Sequence, residues 1–487
     1  MNYLFYIVVF LSITGLIFIP LWFRYRLQVD FFSKQIAKLL AQKKNRFFSS
    51  FVVRESIKTA LKYRKRKIID FLFSGQIIKA SQEVMKYDTL SALLLKAFEK
   101  PESCIKKLES LYKKDPRNNV YAVWLALLLD ASGNKSRAQV AWDNVRDKKL
   151  PIYLNAQYCI HLGESALKNG DMEFASRLFY RAARLFNKSK AFYEEGNVYL
   201  RLGTVYRFCF ISDVAETLFL SALKTFSALK HEEGIAQAYA NLGVLMLGEE
   251  RFEEAESYFR KALDIYEKMN FSQECAEVKN QQAYLYLLQK DYKKALKLLS
   301  ITQKELLALN NINGAAFSFD LRANCLWQMQ MYKETIKNAK KAASLYDKAN
   351  NISGFLESLY LQAQAAFNLN QDDDTENLLR QIIEIGKHDC GCFYLANAYN
   401  LLGIVYMKRK DLQRAKGLFQ QSLDIEQRGV RLNALAVDYT NIGLVEFYRG
   451  HADNAQKHLQ TALDLAQQIE DEELCTKIKR QLKDINN

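Results

Sequence analysis

The feature that most constrains this chain is a pattern of small and bulky residues that repeats about every forty positions. A small residue is followed twelve positions later by another, and four positions later by a bulky one, as in Gly243, Ala255 and Phe259. The first position recurs at Gly163, Gly203, Gly243, Ala283, Asn324, Ala363, Gly403 and Gly443. Eight copies in register within a chain of 487 residues indicate a repeat architecture rather than one compact core.

Each copy predicts a pair of antiparallel helices. The small residue of the first helix allows the second helix to approach closely, and the small and bulky residues of the second helix fill the space between them. Successive pairs must stack, because no pair buries its apolar face alone. No proline follows Pro151, and polar turns such as 248–252 separate the helical patterns. The predicted fold class is therefore all-α.

The order of Leu-Gly, Ala, Phe and Ala in these copies resembles tetratricopeptide repeats (TPRs). The forty-residue period, seen in "EEGIAQAYANLG" (232–243) and "NGAAFSFDLRAN" (313–324), resembles the longer TPR subtype of Leu-Gly-Asn repeat proteins and kinesin light chains. The resemblance implies a right-handed α-solenoid of helix hairpins. We expect about eight such repeats and a C-terminal capping helix over 151–487, and degenerate TPR-like helical repeats over 68–150.

The beginning of the chain differs from the repeats. Residues 2–23 contain no charged side chain and are long enough to cross a hydrocarbon core of about 30 Å. No Lys or Arg precedes this apolar run, and "PLWFRYR" at its end is a poor cleavage site. We therefore predict an uncleaved transmembrane anchor over 1–23, followed by a basic juxtamembrane helical segment over 24–67.

The basic segment sets the predicted location. It holds fourteen Lys and Arg against Asp30 and Glu55, and by the positive-inside rule this predicts a single-pass membrane protein with a cytoplasmic body. A periplasmic body is the alternative. Contact with anionic lipid is expected, although the charges also suit a solvated face or a simple topology signal. No RNA- or DNA-reading motif accompanies them, so no nucleic-acid partner is expected. The residues predicted to face the membrane surface are Arg24, Arg26, Lys62, Arg64, Lys65, Arg66 and Lys67.

The resemblance also implies which residues line a concave groove that binds proteins or peptides. These positions lie three and two residues before the first small residue of each copy, and one and four residues after it. An Asn there can hold a peptide backbone and an Arg can bind a carboxylate, although a solvated face is the alternative for any one of them. The candidates are Arg201, Arg207, Asn241, Asn280, Tyr284, Arg322, Gln364, Asn400 and Asn441, to which His161, Glu164, Gln281 and Gln328 belong by the same rule.

Catalytic and cofactor sites are not predicted. The five histidines have no metal-ligand spacing, and the chain lacks a phosphate-binding glycine loop and a nucleophile elbow. Cys390 and Cys392 lack the paired spacing of a structural zinc site, and scattered cysteines are expected to be structural. The acidic run 372–374 lacks the ligand spacing of a calcium loop and is interpreted as a solvated turn. We expect no metal and no cofactor.

The predicted function is a non-enzymatic, membrane-anchored TPR scaffold or adaptor that holds a protein partner in its groove at the membrane surface. One alternative is a structural subunit of a multi-subunit bacterial envelope machine, such as a periplasmic flagellar-motor or secretion-associated collar. Another is a sensor or regulator whose groove binds a small ligand.

Overall fold

The computed structural model describes residues 101–145, 150–388, 392–429 and 431–486, with a few isolated positions between 81 and 97. The chain divides into two compact units, Met1–Leu245 and Met246–Asn487. Within the described ranges all regular elements are α-helices. In chain order they are α1 (Pro101–Lys114), α2 (Asn119–Ala131), α3 (Lys135–Asp143), α4 (Ile152–Lys168), α5 (Met172–Ser189), α6 (Phe192–Phe208), α7 (Ser212–Leu229), α8 (Glu232–Gly248), α9 (Phe252–Lys268), α10 (Ser272–Leu288), α11 (Tyr292–Ala308), α12 (Ile312–Gln328), α13 (Tyr332–Lys348), α14 (Ile352–Asn368), α15 (Asp372–His388), α16 (Cys392–Lys408), α17 (Leu412–Gly429), α18 (Leu432–Tyr448), α19 (Ala452–Gln468) and α20 (Glu472–Asn486).

From α4 onward, a new helix begins every twenty residues. The first helices of the hairpins are the even-numbered helices α4 to α18, which begin at residues 152, 192, 232 and so on to 432. The second helices are the odd-numbered helices α5 to α19, which begin at residues 172, 212 and so on to 452, and α20 follows the last hairpin. The forty-residue period of the sequence is therefore two helices of 17 or 18 residues with short turns.

The turns between these helices share one backbone conformation. A residue with positive φ recurs every twenty positions, from Gly170 and Lys190 through Lys230 and Glu250 to Glu470, in all turns that the structure describes completely. The N–H of the next residue bonds to the carbonyl five positions back, as Arg251 N does to Met246 O at 2.9 Å. This Schellman-type end satisfies carbonyls that the helix would leave unpaired. Most of these residues are not glycine, so the sequence period is clearer in the helices than in the turns.

Several glycines of the first helices lie against aromatic rings on the second helices. A Cβ atom at Gly203 would lie 2.5 Å from the Phe219 ring, and one at Gly403 would lie 2.6 Å from the Phe419 ring. Both rings are fully buried. The prediction that a small residue allows the second helix to approach is confirmed in these hairpins.

In the hairpin of α12 and α13, the structure shifts the predicted register by one residue. The first small position is Ala323 and the second is Thr335, both fully buried, whereas Asn324 and Ile336 are half-buried. Ala339 stands at the position that is bulky in the other copies, and it is fully buried. A strict forty-residue step from 283 leads to 323, so this copy departs from the pattern in its side chains and not in its spacing.

Before α4, the helices α2 and α3 form a shorter pair. Ala126 of α2 and Ala138 of α3 are both fully buried, and Trp142 Nε1 donates a hydrogen bond to Asp130 Oδ2 at 2.9 Å. The assignment of 68–150 to degenerate repeats, and the other predicted domain limits, stay predictions.

The predicted location needs correction. The anchor over 1–23 and the basic segment over 24–67, with its seven proposed membrane-surface residues, lie outside the described residues. Among the helices that the structure does describe, none is long and apolar enough to cross a bilayer. A span needs about 20 consecutive apolar residues, and the longest described helices have 18 residues and carry charges. On this finding, the assignment as a single-pass membrane protein is wrong and is not carried further.

Candidate partner-binding face

All nine predicted groove residues lie on first helices. Most are half-buried, whereas Arg201 is exposed and Asn280 is fully buried. They are distributed over seven hairpins, and their role in binding stays a prediction. Arg201 and Arg207 belong to α6, Asn241 to α8, Asn280 and Tyr284 to α10, Arg322 to α12, Gln364 to α14, Asn400 to α16 and Asn441 to α18.

Two of the predicted residues are directly bonded to each other. Asn441 Nδ2 donates to Asn400 Oδ1 at 3.3 Å, across two consecutive hairpins. Asn400 Nδ2 in turn donates to Asp438 Oδ1, and Ser422 Oγ donates to Asp438 Oδ2 at 2.8 Å. A chain of hydrogen bonds thus runs from a half-buried amide on the surface of the first helices to a buried carboxyl group.

Two further predicted residues also bridge consecutive first helices. Asn280 Nδ2 donates to the carbonyl of Gly314 at 3.0 Å, and Arg201 pairs with Glu164. The Oδ1 atom of Asn280 is buried, and no described residue donates a hydrogen bond to it. These contacts hold successive first helices together, so part of the predicted set is structural.

The corrected register reveals two residues that the sequence interpretation missed. Counting from Ala323 replaces Arg322 with Asp320 and Asn324 at the candidate positions of α12. Asp320 accepts hydrogen bonds from Ser358 Oγ at Oδ1 and from Asn324 Nδ2 at Oδ2, each at 3.1 Å. A strict forty-residue count would have identified both residues from the sequence.

Two buried carboxyl groups on first helices have pKa values that are raised toward neutral pH. Burial, together with the negative charge of Glu357, raises the pKa of Asp320 to about 7. Burial also raises the pKa of Asp438 to about 6, and the hydrogen bonds from Ser422 and Asn400 oppose this shift. Near neutral pH, both groups therefore retain a fraction of their neutral, protonated form.

The acidic run 372–374 is helical and not the solvated turn that the sequence suggested. It forms the first turn of α15, where carboxylates favour the positive end of the helix dipole. Asp372 pairs with Lys408 at 2.9 Å, and Asp373 pairs with Arg409 at 2.7 Å. The run therefore attaches the start of α15 to the end of α16.

A second ion cluster joins α17 and α18. Glu446 is almost fully buried, and it contacts Lys416 Nζ at 2.8 Å, Arg449 Nη1 at 3.2 Å and His451 Nδ1 at 2.7 Å. Although burial opposes ionisation, hydrogen bonds from Lys416 and His451 lower the pKa of Glu446 to about 2. Because Glu446 already has these partners, it has a structural role.

Arg207 has a different environment from Arg409 and Arg449. Its guanidinium lies over the ring of Phe208, 4.5 Å from the ring centroid, and is half-buried at the end of α6. Burial lowers the pKa of Arg207. No carboxylate of the described residues forms an ion pair with it.

The structure offers no described metal centre. Among the described residues, no group of three or more His, Cys, Asp and Glu side chains could hold a metal ion. Cys390 lies outside the described residues, as does the side chain of Cys392, so a redox or metal role for this pair is not addressed.

Comparison with sequence families supports the repeat interpretation. A family model described as "Tetratricopeptide repeat" matches residues 194–268 and 394–468. These segments include most of α6 to α9 and of α16 to α19. No curated protein matches the chain.

Solved structures similar to this chain have low sequence identity to it. A signal transduction ATPase with numerous domains, with a tetratricopeptide repeat sensor, from Pyrococcus horikoshii is 12% identical, with a TM-score of 0.52 over 91% of this chain and 74% of its own. BtubC from P. vanneervenii is 18% identical, with a TM-score of 0.35 over 43% of this chain and 89% of its own. A putative kinesin light chain from Podosopora anserina is 16% identical, with a TM-score of 0.34 over 39% and 94%.

At such identities the likeness concerns the fold alone. The family model and the helix hairpins together show that the chain carries tetratricopeptide repeats, a fold that generally mediates interactions between proteins.

Proposed function

We propose that the chain is a non-catalytic adaptor that holds an extended segment of a partner protein along the first helices α12 to α18 of the unit Met246–Asn487. The observation that carries this proposal is a recurrence of half-buried amide side chains at equivalent positions of these helices. Asn324 and Gln364 stand one residue after the small position of their copies, and Asn441 stands two residues before it.

Amides suit this task because one side chain can donate and accept hydrogen bonds at the same time. An extended peptide has unpaired N–H and C=O groups along its length, and amides spaced along successive helices match that pattern. Half-buried amides are also restrained by their surroundings, so ordering them on binding costs less side-chain entropy.

The test compares two pairs of substitutions in the full chain. Gln364→Ala with Asn441→Ala removes two amides of the first helices. Gln420→Ala with Gln460→Ala removes two exposed amides of second helices, which bond only within their own helices to Asp424 at 3.0 Å and Asp464 at 2.9 Å. Thermal melting of all proteins verifies that each pair of substitutions leaves the fold intact.

Tagged chains are crosslinked in extracts of the native host, and bound proteins are quantified by mass spectrometry. We expect a defined set of partners that falls at least tenfold with the first pair and is unchanged with the second. Equal recovery with both pairs would contradict binding along the first helices. Recovery of no protein above an untagged control would contradict the adaptor function itself.

A further inference from the structure

The turn between α6 and α7 is chemically unlike the corresponding turns. Residues 208–211 read Phe-Cys-Phe-Ile, whereas the equivalent turns read Lys-Asn-Gly-Asp at 168–171, Leu-Gln-Lys-Asp at 288–291 and Lys-Arg-Lys-Asp at 408–411. Phe208 is 60% exposed, and Phe210 is 93% exposed. Three large apolar side chains, including Ile211, therefore face solvent, whereas the turns at 168–171 and 408–411 consist of polar residues and glycine.

Folding does not account for Phe210. It occupies the position with positive φ (58°), where the equivalent residues are Gly, Lys, Glu, Asn and Gln. A bulky side chain is disfavoured in this conformation, and at 93% exposure it buries almost no surface in return. An exposed apolar cluster of this kind indicates an interaction site.

The apolar surface continues from this turn onto α5. Phe174 and Tyr180 of α5 are both exposed, and the Tyr180 ring stands edge-on to Tyr206 of α6 with ring centroids 6.3 Å apart. We name Phe174, Tyr180, Tyr206, Phe208, Phe210 and Ile211 the aromatic edge. Aromatic residues of this type, together with Arg, supply most of the binding energy in protein interfaces.

Arg207 indicates that a group bound beside the aromatic edge would carry a negative charge. Its guanidinium stacks on Phe208, which leaves the N–H groups at its rim free to bind a carboxylate with two hydrogen bonds. Arg409 and Arg449, near the ends of other first helices, already pair with glutamates. Residues 168–207 also contain eight Lys and Arg against four acids, and two of those acids, Glu194 and Glu195, are buried.

We propose that the aromatic edge and Arg207 form a second docking site, distinct from the amides of the first helices, for a protein segment that carries Asp or Glu beside a large apolar residue. The apolar residue packs against Phe208 and Phe210, and the carboxylate binds Arg207. Because the guanidinium is half-buried and lacks an anionic partner among the described residues, a carboxylate there strengthens binding more than one on an exposed Arg.

The probe is a displayed library of random dodecapeptides, selected on the intact chain. We expect recovered peptides to share an acidic residue within two positions of Phe, Leu or Trp. The best peptide is synthesised, and its affinity is measured for the natural chain and for the variants Phe210→Ser and Arg207→Gln. Each substitution is expected to weaken binding at least tenfold, and the effect of Arg207→Gln is expected to shrink at high salt.

The chain provides a matched control for the apolar turn. Tyr448 of α18 occupies the position equivalent to Phe208 and is also 60% exposed, but the neighbouring Arg449 is paired with Glu446. Tyr448→Ser should leave the affinity for the peptide unchanged, whereas Phe208→Ser should weaken it at least tenfold.

Several outcomes would overturn the proposal: no enriched peptide, a shared sequence without an acidic residue, or binding that is insensitive to Phe210→Ser. Binding that is lost with Gln364→Ala and Asn441→Ala instead would locate the peptide on the amides of α14 and α18 and leave the adaptor proposal standing. A dimer of the chain that dissociates on Phe210→Ser would show that the edge binds a second copy, which also contradicts the proposal.

Discussion

Two hairpins of equal helix spacing fill their interiors with different chemistry. Between α6 and α7, Gly203 admits the ring of Phe219, so an aromatic side chain fills the space. Between α12 and α13, Ala323 and Ala339 leave more room, and Leu361 of the next hairpin packs into the same cluster. The twenty-residue spacing is the same in both hairpins, so one helical framework accommodates both solutions.

The difference extends to the electrostatics of the two hairpins. The interior beside α12 includes buried polar groups, among them Thr302 and Ser318, whose hydroxyl oxygens lie 2.9 Å apart. Asp320 is buried on the same helix with its pKa raised to about 7. The loss of the bulky side chain in this hairpin thus coincides with a hydrogen-bonded interior whose stability should depend on pH.

The largest change in stability is expected in the hairpin of α6 and α7. Phe219→Ala should lower the free energy of unfolding by about 3 to 5 kcal/mol, because it removes a fully buried ring and leaves a cavity beside Gly203. Urea unfolding monitored by circular dichroism measures the change. Phe210→Ala, which removes the same side chain from a 93% exposed position, is the control and should have little effect. Equal losses in the two variants would contradict the packing account.

The pH dependence expected for the hairpin of α12 and α13 is tested by Asp320→Asn. In the unfolded chain this carboxyl ionises near its ordinary pKa of 3.8, but in the folded chain it holds its proton up to about pH 7. The folded state therefore binds more protons between these values, and its stability falls as pH rises from about 4 to 7. The Asn variant should be more stable than the natural chain by about 2 to 4 kcal/mol at pH 8, with a smaller gain at pH 5.

The control for this pH dependence is Asp424→Asn, since Asp424 is an exposed carboxylate on α17. Urea unfolding at pH 5, 6, 7 and 8 measures all three proteins. If the difference between the Asp320 variant and the natural chain did not grow with pH, the raised pKa would be contradicted. The difference must be taken at each pH, because the raised pKa of Asp438 changes the stability of every variant.

For a third substitution, the expected effect on stability is opposite to the one that helix propensity alone would give. Replacing a glycine inside a helix by alanine normally stabilises it by about 1 kcal/mol. Gly203→Ala should instead destabilise the chain by about 1 to 3 kcal/mol, because the new Cβ would lie 2.5 Å from the Phe219 ring. Gly417→Ala is the control on α17, where nothing lies within 4 Å of the added Cβ, and it should be stabilising. Differential scanning calorimetry measures the melting temperature of both variants, which should fall for Gly203→Ala and rise for Gly417→Ala.

The smallest effect is expected at a helix end. Asn351 Oδ1 accepts a hydrogen bond from the N–H of Gly354 at 3.1 Å and so caps α14. Asn351→Ala should cost about 1 kcal/mol. Asn338→Ala, within α13, removes only a hydrogen bond to the carbonyl of Glu334 in its own helix and should be neutral or stabilising. A cost at Asn338 as large as that at Asn351 would contradict the capping role.

The helices and their pairing could be predicted from the sequence because their signals are local and repeated. Gly203, Phe219 and their equivalents recur at fixed spacing, and Gly163, Gly203 and Gly403 each lie against a Phe ring of the second helix. The register near Asn324 was misread because Ala323 and Thr335 are weaker landmarks than Gly and Ala. The first 67 residues, which suggested a membrane location, lie outside the described helices, none of which can span a bilayer.

The candidate site could be predicted only in part. The sequence located Asn400 and Asn441 on first helices, but their mutual hydrogen bond joins residues 41 positions apart. Arg207 and Arg201 looked equivalent in the sequence, yet the structure pairs Arg201 with Glu164 and stacks Arg207 on Phe208. Such differences depend on which side chains meet across helices, and the repeat pattern does not specify them.

By itself, the sequence determined the period, the helix pairs and the close approach at Gly203 and Gly403, because these follow from side-chain size at regular spacing. Only the tertiary structure decided which polar groups are structural and which are available, because pairing and desolvation arise when helices from successive hairpins pack together. That is why Asp320 has a raised pKa in the interior, and why burial lowers the pKa of Arg207, which has no carboxylate partner among the described residues.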